Sequence, residues 1–428
     1  VRDEVIMPHI AVPYGKTHLS AEVPAGYPVE IIAPRDVLAP PDPARLVELA
    51  LDSPLGDVRL ANFAGARSAV VVISDKTRPL PAPAVAPLLA RLEALGLAPD
   101  AITLLIGTGT HAPMRPAEFP ALLPADILGR YRVISHDCDD AANLVCKGTT
   151  ARGTKVWVNR VFDEADLRVV TGNLNPHQFM GFSGGVKAAA IGVAGRATIN
   201  QNHAHMVDPL ARLGEYERNP ARQDVEDIGR LIGVHFALNV ILNNAKQILA
   251  ALAGDPVAVM EAGIPLVRDL VQVPVAAPFD LVITSPGGHP KDINLYQAQK
   301  ALAHASLIVR EGGTVILAGA CPEGTGSAAY EQWIDGMASH EAVLDRFARE
   351  AFRLGPHKAF QIARDATRAR VIFVSDMPGD RVRRLLLTPA ADLQATVDMA
   401  LDDLPLGARI GVLPAANSTV PVLASGGR

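Results

Sequence analysis

Residues 167–187 read Leu-Arg-Val-Val-Thr-Gly-Asn-Leu-Asn-Pro-His-Gln-Phe-Met-Gly-Phe-Ser-Gly-Gly-Val-Lys. A short β-branched run, Leu167–Thr171, passes into a dense polar and glycine-rich segment that ends in a lysine. The same grammar recurs upstream. Ser68–Ile73 is an apolar strand that delivers Ser74-Asp75-Lys76-Thr77-Arg78-Pro79, Ile102–Ile106 delivers Gly107-Thr108-Gly109-Thr110-His111, and Val133–Ser135 delivers His136-Asp137. Helical stretches at 43–51 and 84–95 interleave, and a β-rich run stands at 29–32. This is the βαβ rhythm of a parallel sheet. Ligands in such sheets bind outside the carboxyl ends of the strands, where these polar clusters fall.

The chain is 428 residues long, beyond one ordinary core, so two α/β domains are expected, each with a largely parallel sheet flanked by helices. We expect an N-terminal domain over 1–272 and a second over 279–404, with the tail 405–428 returning to the first. The Val/Pro/Ala-rich passage 271–278 reads as the crossing between them. The second domain opens with strand 281–284 and continues with helix 295–305, strand 314–317, strand 370–374, helix 391–401 and strand 409–413.

Hydrophobic residues make up 49% and charged residues 20%, a globular composition. The net charge of −5, with scattered cations, gives no footprint for nucleic acid or anionic lipid. No uninterrupted apolar run suits a membrane span, and Val1-Arg2-Asp3-Glu4 lacks a leader pattern, so a cytoplasmic protein is expected. Cys138, Cys146 and Cys321 are widely spaced and read as buried spectators.

Gly107-Thr108-Gly109-Thr110-His111-Ala112 matches the dinucleotide fingerprint G-x-G-x-x-A, but prolines at 113, 116, 120 and 124 break the helix that should follow. Lys187 follows glycines without P-loop spacing. As a cation at a helix start it opposes the helix dipole, which favours a functional amine over a solvent-facing one. His111, His177 and His203 stand in loops or short segments after strands, where imidazole serves as acid, base or metal ligand, although each alone is as compatible with a hydrogen-bonded spectator. No short His/carboxylate spacing supports zinc. His205, two residues on, points elsewhere on a helix. Arg78 suits bidentate contact with a carboxylate or phosphate, or a turn-stabilising link to Asp75. Tyr296 and Lys300 share a helical face, with Gln297 beside them.

Taken together, the segments Asp75–Pro79, Gly107–His111, Asn175–His177, Gly181–Lys187, Asn202–His203 and Tyr296–Lys300 resemble the lactate racemase family, in order and over nearly the whole chain. The resemblance implies a nickel-pincer nucleotide: a nicotinic-acid mononucleotide skeleton whose pyridinium carries two sulfur-bearing arms and a carbon bound to nickel. It implies Lys187 as the covalent anchor and His203 as the imidazole completing the nickel coordination. His111 and His177 match the two acid/base histidines. Arg78 and Lys300 match groups that hold the substrate carboxylate, with Tyr296 and Gln297 lining a pocket in an interdomain cleft. Asp75 matches a residue on the cofactor or one that orients a neighbour, and Thr108 and Thr110 are candidates for its phosphate. Ile191-Gly192 stands where the family has proline-glycine.

The implied function is an isomerase that inverts C2 of a small 2-hydroxy acid (lactate, malate or a relative) through hydride transfer and a 2-keto acid. The enzymes that build the nucleotide are implied partners. Two alternatives stay open: a nicotinamide-dependent 2-hydroxy acid dehydrogenase, and a non-catalytic carrier of the nucleotide, which would need the anchor but not the bases.

Overall fold

The computed structural model describes residues 8–424; the opening Val1–Glu4 and the last residues of the tail lie outside the described residues. The chain divides into two compact units. One comprises residues 36–269, and the other comprises the described residues before 36 and after 269.

The 36–269 unit is built on a six-stranded sheet in the order Ile248–Gly254, Phe236–Leu242, Leu167–Asn173, Ala69–Ser74, Ile102–Gly107, Arg132–Ser135. All neighbours are parallel except the first pair. The central strands are buried on both faces: Ala69 to Ile73 and Ile102 to Ile106 are all enclosed, as a parallel sheet covered by helices requires. Helices Pro43–Asp52 and Ala82–Ala94 place Val47, Leu51, Leu88 and Leu92 against Val71, Ile73, Leu104 and Ile106. Each such aliphatic side chain contributes about 1.5–3 kcal/mol. Parallel pairing puts the ends of Ala69–Ser74, Ile102–Gly107 and Leu167–Asn173 on one edge, with Ser74 opposite Gly107, so the three polar loops emerge together.

The second unit has an all-parallel sheet in the order Thr388–Ala390, Arg370–Val374, Val309–Ala318, Phe279–Thr284, Ile410–Leu413, Val29–Ile31. A hairpin, His9–Tyr14 with Thr17–Glu22, buries Ile10 and Val12 among Leu281, Ile283, Ile316 and Val412.

The two-domain α/β architecture matches the expectation, but the boundaries differ. Of the residues expected in a 1–272 domain, those at 8–35 belong with the second unit, and the division falls after 269. Residues 405–424 of the expected tail do not return to the first domain. Ile410–Leu413, buried throughout, is hydrogen-bonded between Phe279–Thr284 and Val29–Ile31, and Val420–Leu423 pairs with Gln272–Val275 inside the supposed crossing. A four-residue buried strand needs partners on both sides for its backbone groups, and only pairing reveals which sheet supplies them. Cys138 and Cys321 are buried, but Cys146 is exposed on a two-stranded ribbon. Among the described residues no helix is long and apolar enough to cross a membrane.

Candidate functional site

Asp75 begins the loop after Ala69–Ser74. Thr77 donates to its Oδ1 from both backbone N–H (3.0 Å) and hydroxyl (2.6 Å), while Oδ2 faces His111 Nδ1 at 2.6 Å. The carboxylate is buried and the imidazole exposed. Burial by itself pushes the Asp75 carboxyl up, but the hydrogen bonds from His111 and Thr77 outweigh it and hold the group below the usual carboxylate range. An ionised carboxylate only accepts, so Nδ1 of His111 carries a proton, and in a neutral ring the lone pair falls on Nε2. His111 is placed by the loop itself: its N–H donates to the Thr108 carbonyl (3.0 Å), and Gly109 N–H donates to the Gly192 carbonyl (2.9 Å). The glycine-rich segment therefore presents an imidazole, and it runs into a 3-10 turn at Pro116–Ala121 instead of the long helix of a dinucleotide fold. Thr108 is buried and gives its hydroxyl hydrogen to the His136 carbonyl at 2.9 Å, leaving it none for a phosphate. Thr110 is half-buried in the same loop.

His177 lies on a two-residue strand, Pro176–His177, opposite Gly181. Met180 N–H donates to its Nδ1 at 3.3 Å, so a neutral ring carries hydrogen on Nε2, the reverse of His111. Phe179 stands edge-on to both His177 and His203, with centroids 5.0 Å from each. The tight return needs Gly181: at φ +70°, a Cβ there would sit 1.7 Å from the Glu215 carbonyl oxygen. At Gly185 (φ +56°) a Cβ would fall 2.7 Å from Met260 Cγ. Fully buried Arg222, from helix Pro220–Ile232, grips this loop through the carbonyls of Phe182 (3.1 Å) and Gly184 (3.2 Å), with Glu226 Oε1 at 2.6 Å balancing its charge.

Lys187 opens the four-residue helix Lys187–Ala190 against strands Ala69–Ser74 and Leu167–Asn173. Burial, then the positive charges of Arg78 and Arg222, bring its ammonium down to about 7. His203, near the end of helix Arg196–Ala204, is lowered to about 3 by burial and by the Lys187 charge. A largely uncharged amine and a neutral imidazole thus stand close enough to feel each other, with Arg78 beside them. His205 turns away toward Asp224, its Nε2 at 4.0 Å.

In the other unit, helix Leu295–Ala305 is capped by Asn294, whose side chain accepts from Gln297 N–H at 3.1 Å. Lys300 Nζ donates to Gln297 Oε1 at 2.5 Å, and the Tyr296 hydroxyl lies 3.4 Å from His357 Nε2. Lys358 Nζ sits 4.3 Å from the Tyr296 ring centroid. Gln297 and Lys300 therefore form one polar pair, and Tyr296 stands with His357 and Lys358.

Family models for the lactate racemase N-terminal and C-terminal domains match residues 14–214 and 275–420. The chain belongs to the lactate racemase family. The lactate racemase of Thermoanaerobacterium thermosaccharolyticum is 30% identical over 97% of this chain and 99% of its own length, and that of Lactiplantibacillus plantarum is 32% identical over 86% and 88%. The structure of the T. thermosaccharolyticum lactate racemase apoprotein superposes with a TM-score of 0.89 over 97% of this chain and all of that one. A Thermotoga maritima protein, 17% identical with a TM-score of 0.66, shares the fold. As a member of the lactate racemase family the chain is an isomerase. Phe179, which packs edge-on to His177 and His203, and Arg222, which bonds the loop before Lys187, are not distinguished by the sequence pattern. Arg222 and Glu226 at i, i+4 look like a surface ion pair, and only burial exposes them as part of the loop's support.

Proposed function

We propose that this chain interconverts the enantiomers of lactate or a closely related 2-hydroxy acid, using a nickel-pincer nucleotide joined to Lys187. The observation that carries the reading is the adjacency of Lys187 and His203. An amine lowered to about 7 is a competent nucleophile toward an activated acyl group, and an imidazole held neutral is a nitrogen donor suited to nickel(II). The residues therefore fit the group: Lys187 would hold it and His203 would ligate its metal. When bound, it supplies a reversible acceptor for hydride at C2.

The acid/base work falls to the chain. His111, whose Nδ1–H is oriented by Asp75, takes the hydroxyl proton at Nε2, while His177, whose Nδ1 accepts from Met180 N–H, can donate from Nε2. Loss of the hydroxyl proton and of hydride from C2 leaves a planar 2-keto acid, and return of both with the opposite face presented inverts the centre. Two imidazoles of opposite resting tautomer suit a reaction that must run from either enantiomer. Arg78 is a cation suited to the substrate carboxylate; in the other unit Lys300, held by Gln297, and Tyr296 are further candidates for contact with substrate.

The Thr108 hydroxyl, spent on His136, speaks against a phosphate role, so loop amides and Thr110 are the better candidates. A dehydrogenase is disfavoured because the Gly107–His111 turn runs into a 3-10 turn and not directly into a long helix, and a carrier has no use for the Asp75–His111 pair. The reading carries with it a cytoplasmic location beside the enzymes that build the nucleotide.

The test is co-expression with those enzymes and intact mass measurement of wild type and Lys187→Ala. Enantiopure lactate, malate and longer 2-hydroxy acids are then followed for loss of optical purity. An adduct absent from the variant, with racemisation of one acid class, supports the reading. No adduct and no nickel would sink it.

A further inference from the structure

Helix Arg196–Ala204 brings Asn202 beside His203, and the Asn202 amide is completely assigned by its surroundings. Its Nδ2 donates to the Ala221 carbonyl and to Asp224 Oδ2, both at 2.9 Å. Neither acceptor can donate in return, so the amide cannot be flipped, and its Oδ1 is left as a pure acceptor. That oxygen lies 3.2 Å from His203 Nδ1. Asp224 is itself immobilised. It is fully buried, and Thr150 and Thr154 donate their hydroxyls to its two oxygens at 2.6 and 2.8 Å. Thr150 Oγ1 in turn accepts Thr154 N–H at 3.1 Å. The Ile199 carbonyl, one turn back on the helix, is a further acceptor for the imidazole N–H.

We propose that Asn202 and Asp224 form a positioning relay that fixes His203 as the Nδ1–H tautomer, so that Nε2 keeps its lone pair for the metal. The inference rests on the nickel reading above for its purpose, but its geometry stands in the protein alone. The logic is that of ligating imidazoles generally: the nitrogen not on the metal is bonded to an acceptor that sets tautomer and ring plane. Here the acceptor is a neutral amide backed by a buried carboxylate, which orients the ring without placing a full negative charge against it. Asp224 shares helix Pro220–Ile232 with Arg222, which grips the Lys187 loop, so one helix holds both ends of the Lys187–His203 pair in register.

The tautomer is read directly by long-range imidazole nitrogen NMR on the full-length apoprotein, with His203→Gln to assign the signal. The expected result is a protonated Nδ1 and an unprotonated Nε2 in wild type. An Nε2-protonated ring overturns the relay and leaves the family reading intact. In loaded protein, Asn202→Ala is expected to lose nickel to a chelator about 10–100-fold faster than wild type, and the isosteric Asp224→Asn by a smaller factor. Both variants are expected to keep the Lys187 adduct by mass. Nickel retention within about threefold of wild type in Asn202→Ala overturns the proposal. Failure of the lysine adduct in wild type strikes the nickel reading instead.

Discussion

The sharpest consequence of the site concerns the amine of Lys187 before any cofactor is attached. Burial first, then the charges of Arg78 and Arg222, bring it to about 7, against about 10.4 for an ordinary lysine. At pH 7.5 an amine titrating at about 7 is about three-quarters unprotonated, whereas an ordinary lysine is about 0.1% so, a ratio of roughly 600. The sign is set by what disfavours the charged form: raising pH through about 7 releases the nucleophile at Lys187, about three units below an ordinary lysine. Trace acylation of the apoprotein with acetic anhydride, read by peptide mass spectrometry across about pH 5 to 10, measures this for every lysine at once. Lys187 is expected to be modified first, with a midpoint near 7. Arg78→Gln should move that midpoint upward, because it removes one of the positive charges that press on the ammonium. A Lys187 midpoint in the range of the surface lysines, or one indifferent to Arg78, refutes the reasoning.

Asp75→Asn keeps the shape of its site but withdraws the acceptor that holds the His111 tautomer; turnover of loaded enzyme should fall on the order of 10³-fold while the Lys187 adduct forms normally. Thr108→Val leaves the buried His136 carbonyl with only the longer 3.4 Å bond from Ser135 Oγ, an expected loss of about 1–3 kcal/mol in denaturant unfolding, with adduct formation retained. Gly181→Ala drives a Cβ to 1.7 Å from the Glu215 carbonyl at φ +70° and should cost about 3 kcal/mol or more, a fall in Tm of about 6 °C or more, whereas Gly65→Ala, with nothing within 4 Å, should stay within about 0.5 kcal/mol.

Much of the architecture is legible because strand and loop chemistry change abruptly together. The apolar runs at 69–73, 102–106 and 167–171 appear as central strands, and the polar loops after them carry Asp75, His111 and His177 to one edge. The helix carrying Tyr296, Gln297 and Lys300 starts and ends where its pattern places it, at Leu295–Ala305. Less legible are residues whose meaning depends on what lies opposite. Val29–Ile31 has the same local pattern whichever sheet it joins, and Thr108 reads as a phosphate donor until the His136 carbonyl is seen to occupy it.

By itself, then, the sequence determined the α/β class and the division into two units, and it singled out Lys187, His111, His177 and His203 as candidates, because periodicity, glycine placement and motif order are local properties of a chain. Tertiary structure alone decided which unit residues 8–35 and 405–424 join and which group faces Nδ1 of each of the three imidazoles. It also decided that Arg222 and Asp224, in a helix dense with charges, are interior supports. These are matters of which acceptor faces which donor across distances in sequence of 20 to 70 residues, as between Asn202 and Asp224 or Thr154 and Asp224, and hydrogen-bond partners at that range are fixed only when the strands and helices close upon each other.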